Sequence, residues 1–123
     1  MGKKILVIDD EPHLVEILAN RLKANRYQVI TAVTANEGLE MAIKDKPDLV
    51  LLDILMPDMD GYQVLRKLKE EPQTKKIPVM MLTVKKWSED VQKAMLGGAV
   101  DYLVKPFDPV ILLQKIKRTM KDA

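Results

Sequence analysis

Five short apolar runs, at residues 5–8, 27–32, 49–52, 78–82 and 102–104, recur along the chain at a spacing of roughly 22 to 25 residues, which is the period of a strand followed by a helix. Each run is too short for a helix, and most are continuous instead of alternating, as in strands buried on both faces. Between them the apolar residues change to helical spacing. Leu14, Leu18 and Leu22 lie four apart behind Pro12, a residue suited to the first helical position. Thr34-Ala35-Asn36-Glu37 reads as a capping box, with Leu39 and Ile43 continuing the apolar face. Val64, Leu65 and Leu68 follow Asp60-Gly61. A fourth helix is predicted from near Ser88, carrying Val91, Ala94 and Met95 until Gly97-Gly98 stops it. A fifth opens on Asp108-Pro109 and runs through Leu112, Leu113, Ile116 and Met120.

Five strands alternating with five helices predict one doubly wound α/β domain, its parallel sheet covered by helices on both faces. At 123 residues with 47% hydrophobic content, one core can be filled and no second domain fits. The 20 basic and 18 acidic residues alternate along the chain without forming blocks, so a solvated helix surface explains the charge and no direct nucleic-acid contact is expected. The absence of cysteine excludes disulfides and thiolate metal sites. No signal-type segment follows the opening MGKK and no apolar run approaches 18 residues, so the expectation is a cytoplasmic protein with no membrane contact.

The polar residues at the run ends carry the chemistry. Asp9 and Asp10 follow the first run, Asp53 the third, Thr83 the fourth, and Lys105, before Pro106, the fifth. In a sheet of strand order 2-1-3-4-5, ligands bind beyond the carboxyl ends of the strands at the switch point between strands one and three. That topology gathers three carboxylates into one pocket. Crowded carboxylates with no His or Cys select a hard divalent cation, and Mg²⁺ suits best because it uses one or two carboxylates together with a phosphate. Lys105 then supplies a point charge for a phosphoryl oxygen and the Thr83 hydroxyl a second donor. Asp53, on the central strand, is the best nucleophile.

Plainer roles compete at single positions. Asp10 also fits a helix N-cap before Glu11-Pro12, Asp60 a cap or turn residue, and Asp58 a solvated loop acid. Thr83 alone reads as a strand residue. His13, the lone histidine, reads as a surface side chain, and the eight methionines, Met80 and Met81 among them, as adaptable core filler. Matching residue types at four strand ends together favour a functional site.

These residues give the chain a family resemblance. Ile8-Asp9-Asp10-Glu11-Pro12, Leu52-Asp53-Ile54-Leu55-Met56-Pro57-Asp58-Met59-Asp60-Gly61, Met81-Leu82-Thr83 and Gly98-Ala99-Val100-Asp101-Tyr102-Leu103-Val104-Lys105-Pro106-Phe107 resemble the receiver domain of two-component response regulators, over the whole chain. The resemblance implies a flavodoxin-like fold and a receiver domain spanning residues 1–123. It implies that Asp53 accepts a phosphoryl group from a sensor histidine kinase or histidine phosphotransfer protein. Asp10 would be a direct Mg²⁺ ligand, Asp9 would help through water, and the backbone carbonyl of Leu55 would complete the set. Thr83 and Lys105 would bind phosphoryl oxygens, with a cis bond between Lys105 and Pro106. Tyr102 would be the rotamer switch that follows Thr83 inward, changing a docking face built from helix four, strand five and helix five. Such a domain would be no enzyme with turnover, but an acceptor that assists its own phosphorylation, as a monomer or a weak phosphorylation-dependent dimer.

Three positions depart from the family pattern. Val84 stands where a small residue is usual and narrows access to the site. Leu55 and Lys85, two residues beyond Asp53 and Thr83 respectively, cannot activate a water as a carboxylate or amide would, so slow autodephosphorylation is expected. Trp87, in the loop after strand four, is placed to report the switch by fluorescence. A haloacid dehalogenase-type phosphatase is the main enzymatic alternative, but it needs a carboxylate where Leu55 stands. A calcium loop at Asp58-Met59-Asp60-Gly61 would put Met56 first and Lys67 twelfth, and the acidic turn after strand one excludes a dinucleotide cradle. A non-phosphorylated interaction module is the remaining alternative. The chain stops shortly after the fifth helix, without an output domain, so a stand-alone regulator, a relay intermediate or part of a longer protein all fit.

Overall fold

Parity along each central strand divides the interior in two. Leu6, Ile8, Val50, Leu52, Val79 and Met81 belong to one buried cluster, and Ile5, Val7, Leu49, Leu51, Met80 and Leu82 to the other. Successive side chains of a strand point to opposite faces, so runs that are apolar at every position demand cover on both. The computed structural model describes residues 2–54, 56–84 and 89–120. Its elements are β1 (Lys4–Ile8), α1 (Pro12–Ala24), β2 (Gln28–Ala32), α2 (Ala35–Asp45), β3 (Leu49–Asp53), α3 (Gly61–Glu70), β4 (Val79–Thr83), α4 (Glu89–Leu96), β5 (Asp101–Val104) and α5 (Pro109–Met120). The strands are parallel in the order β2-β1-β3-β4-β5, as the sequence predicts.

Val15, Leu18 and Leu22 of α1 and Leu112, Ile116 and Met120 of α5 close one face. Ala35 and Ala42 of α2, Val64, Leu65 and Leu68 of α3 and Ala94 of α4 close the other. Met80 and Met81 are fully buried, one in each cluster. The edge strands differ from the expectation of burial on both faces: β2 is buried only at Ala32, and β5 only at Leu103. An edge has one neighbour and a side open to water, so its outer residues need no apolar cover.

The helix ends follow their caps. Asp60 accepts from the amides of Tyr62 and Gln63 at the start of α3, and Asp108 from those of Val110 and Ile111 at the start of α5. Thr34 accepts from the Glu37 amide, while the Glu37 carboxylate reaches back to the Val33 amide, one residue earlier than a capping box requires. Gly98 ends α4 at φ +108. Its own amide and that of Ala99 return to Met95 and Ala94, the paired bonds of a Schellman motif that a left-handed glycine permits.

Candidate functional site

Register brings the run ends together. Ile8 pairs with Leu52, so Asp9 and Asp53 leave adjacent strands side by side. Thr83 pairs with Val104, which places Lys105 next to it, and the Lys105 amide donates to the Thr83 carbonyl at 2.6 Å. Carboxylate oxygens of Asp9, Asp10 and Asp53 all lie within 4.8 Å of one another. Asp9, Asp53 and Thr83 are 1%, 8% and 5% exposed, whereas Asp10 is open to solvent.

The Lys105 ammonium lies in this acidic cluster, 2.6 Å from Asp9 Oδ2 and 3.5 Å from Asp53 Oδ1. Burial lowers its pKa, but the hydrogen bond to Asp9 and the charges of Asp53 and Asp9 outweigh burial and hold it above the ordinary lysine value. Among the described residues, three carboxylates face one ammonium, so acidic groups outnumber the cation. An all-oxygen donor set with surplus negative charge fits a hard divalent cation. The bond between Lys105 and Pro106 is cis.

Asp9 is committed on both oxygens: Oδ2 accepts from Lys105 and Oδ1 from the Glu11 amide at 3.0 Å. Asp10 is not the N-cap of α1; that position is Glu11, without a side-chain cap bond, and the nearby amide is held by Asp9 instead. Gly61 lies behind the end of β3, where a Cβ would come within 2.6 Å of the Asp53 carbonyl oxygen. The Gly61 amide donates to the Ile54 carbonyl at 2.6 Å. Val84, beside Thr83, is 70% exposed. His13 is exposed on α1.

Tyr102, half-buried on β5, packs against the cluster formed with α2, α3 and α4. The Lys115 ammonium stands 4.9 Å from the centre of its ring and donates to its carbonyl oxygen at 2.8 Å. Leu55, Lys85, Trp87 and Ser88, which carry sequence-based expectations, lie outside the described residues.

Asp58 is an exposed loop acid, as its neighbours in sequence suggest, but it also accepts from the amides of Ala35 and Asn36 at the start of α2, at 3.0 and 3.2 Å. These bonds, that from Ala35 foremost, lower its pKa against the opposing effect of desolvation. Nothing local signals such a cap, because donor and acceptor lie 23 and 22 residues apart.

The response regulator receiver domain family matches residues 5–117. Response regulator PleD of Caulobacter vibrioides is 42% identical over 95% of the chain, which spans only 26% of that protein's length. Protein PilH of Pseudomonas aeruginosa is 37% identical over 95% of the chain and 97% of its own. The chemotaxis response regulator CheY4 of Vibrio cholerae superposes with a TM-score of 0.91 at 32% identity, over 97% of this chain and 99% of that one. The five-stranded order, the aspartate cluster at its carboxyl edge and this likeness lead to one conclusion: the chain belongs to the response regulator receiver domain family.

Proposed function

We propose that Asp53 accepts a phosphoryl group from a phosphohistidine on a sensor histidine kinase or histidine phosphotransfer protein, and that the phosphorylated chain signals by docking a partner protein. The observation that carries this reading is the Lys105 ammonium poised between Asp9 and Asp53 in a cluster of three carboxylates. A carboxylate oxygen of Asp53 attacks phosphorus, the bond from phosphorus to the histidine nitrogen breaks, and the leaving imidazole takes a proton. The Lys105 ammonium and the Thr83 hydroxyl meet the charge on the phosphoryl oxygens, so positioning and charge neutralisation supply most of the rate.

Mg²⁺ would be held by Asp10 directly, by Asp53 and the Leu55 backbone carbonyl, and by Asp9 through water. Both oxygens of Asp9 already serve protein donors, which supports its indirect role, and the open carboxylate of Asp10 supports the direct one. Bound there, the ion supplies positive charge that offsets both the clustered carboxylates and the incoming phosphoryl oxygens.

The output surface in this reading is α4, β5 and α5, where Leu96 of α4, Val100 just before β5 and Ile111 of α5 are 87%, 45% and 46% exposed. Thr83 moves toward the phosphoryl group, and the Tyr102 ring follows into the space it leaves. Residues 1–123 act as one receiver domain, in the cytoplasm and without direct nucleic-acid or membrane contact, as a monomer or a weak phosphorylation-dependent dimer. The chain assists its own phosphorylation and loses the group slowly.

Incubation with acetyl phosphate and Mg²⁺ tests the acceptor role. One phosphoryl group per chain by intact mass is expected, and none after Asp53→Asn or with EDTA. Equal labelling of the Asp53→Asn chain would overturn the assignment.

A further inference from the structure

Lys115 reaches across an edge of the sheet. Its helix, α5, covers the face that carries Met80 and Leu103, whereas the Tyr102 ring packs on the opposite face, with Met81 and Ala94. β5 pairs with β4 on one side, and among the described residues no strand lies on the other, so a side chain of α5 can pass around it. The Lys115 ammonium donates to the Tyr102 carbonyl at 2.8 Å and to Asp101 Oδ1 at 3.0 Å, and it stands 4.9 Å from the centre of the Tyr102 ring. Asp101 Oδ1 also accepts from the Tyr102 amide at 2.8 Å, and Oδ2 from Arg118 at 3.1 Å. Residue 102 is thus held at its amide, its carbonyl and its ring, the last two by Lys115. The Lys115 side chain is only 22% exposed, and partial loss of water strengthens the attraction of a cation to a ring face.

Register sets where that ring can go. Tyr102 pairs with Met81 and Val104 with Thr83, and paired residues of neighbouring strands direct their side chains to the same face. Thr83, two residues beyond Met81, therefore shares the face on which the ring packs. Space opened by a displaced Thr83 lies on the ring's own side of the sheet. A ring that enters it leaves behind the ammonium, which is tethered to Asp101 and to the backbone.

We propose that Lys115 is a latch on the switch: its ammonium, set against the Tyr102 ring, stabilises the unphosphorylated arrangement and so determines how readily a phosphoryl group on Asp53 changes the chain. The inference rests on the reading of Tyr102 as the ring that follows Thr83. A contact made in only one of two arrangements biases the equilibrium between them. A ligand that selects the other arrangement then binds with an affinity reduced by the fraction of chains that are competent for it. Removing the Lys115 cation should therefore tighten binding at Asp53, two strands away from β5.

Titration with beryllofluoride, which mounts a tetrahedral phosphoryl mimic on a carboxylate, tests the latch in saturating Mg²⁺, with binding followed by the Thr83 amide resonance. Lys115→Met should bind about three- to tenfold more tightly than the parent. Its Tyr102 resonances, without beryllofluoride, should already lie part of the way to their bound positions. Lys115→Gln loses the charge but keeps a donor for the Tyr102 carbonyl; it should behave alike, and it carries the test if Lys115→Met does not fold. Lys115→Arg, which keeps a cation at the ring, and Arg118→Met, which removes the other cation of Asp101, should bind as the parent does. In a Tyr102→Ala background, Lys115→Met should change nothing further.

Unchanged or weaker binding by Lys115→Met and Lys115→Gln, beside a parent that binds, overturns the latch and leaves the acceptor reading intact. Equal tightening by Arg118→Met, or by Lys115→Met in the Tyr102→Ala background, also overturns it, because the effect would then not pass through the ring. A parent that fails to bind beryllofluoride removes the acceptor reading and the latch together.

Discussion

The Lys105 ammonium is drawn out of water by burial and held in place by two carboxylates, one of which, Asp9, is almost fully buried. Lys105→Met removes the charge while keeping much of the stem, leaving Asp9 and Asp53 to repel. Denaturant unfolding at pH 7 without Mg²⁺ should show a loss of about 2 to 3 kcal/mol, and phosphorylation by acetyl phosphate should slow about 10²-fold. Because the folded-state pKa of Lys105 is raised, its contribution is fully present below the ordinary value of 10.5 and declines as pH climbs through the raised value. The stability gap between parent and Lys105→Met should therefore hold from neutral pH to about 10 and shrink above 10.5. A gap that closes between pH 6 and 9 would contradict this origin. The aspartates and Lys105 were legible because their types contrast with the apolar runs they end. Asp58 was read as an exposed loop acid, which it is, but its cap on α2 was missed because it is formed across 23 residues and a reading by neighbours sees only an acid in a turn.

Strands and helices were legible from period, and their boundaries less so. The apolar runs stop at Leu52 and Leu82, whereas the ladders continue to Asp53 and Thr83. Backbone pairing is indifferent to side-chain polarity, so a strand extends one residue past its apolar code. Asp53 and Thr83 therefore gain positions fixed by the sheet. The edge strand β5 carries Tyr102 half-buried, with Met81 as its register partner on β4 and Lys115 of α5 against its ring. Tyr102→Ala should leave phosphorylation of Asp53 within about twofold of the parent, because the ring is not among the groups that meet phosphorus. Partner binding by the phosphorylated chain should weaken at least tenfold by loss of an aromatic from the proposed docking face, measured by pulldown followed by titration. Equal affinity of the phosphorylated parent and variant would show that the ring does not transmit the signal.

For the whole molecule, one parallel sheet sets both the pocket and its distance from the proposed output face. Alternation and right-handed crossovers indicate a doubly wound sheet, and the order 2-1-3-4-5 expected for it, which the structure has, puts the switch point between β1 and β3. The proposed docking face rests on family resemblance alone, and the exposure of Leu96, Val100 and Ile111 that it uses depends on how α4 and α5 pack. The side chains two residues beyond Asp53 and Thr83, Leu55 and Lys85, offer no carboxylate or amide to orient water. The phosphorylated chain, freed of donor and held in Mg²⁺ buffer, should therefore lose its phosphate over minutes or longer, and decay within seconds would contradict that expectation. The most direct test of a phosphoryl group stored on Asp53 is borohydride reduction of the phosphorylated protein, which converts an aspartyl phosphate to homoserine, followed by peptide mass mapping. Homoserine at position 53 and at no other aspartate is the predicted result; homoserine at position 9 or 10, with Asp53 unchanged, would contradict it.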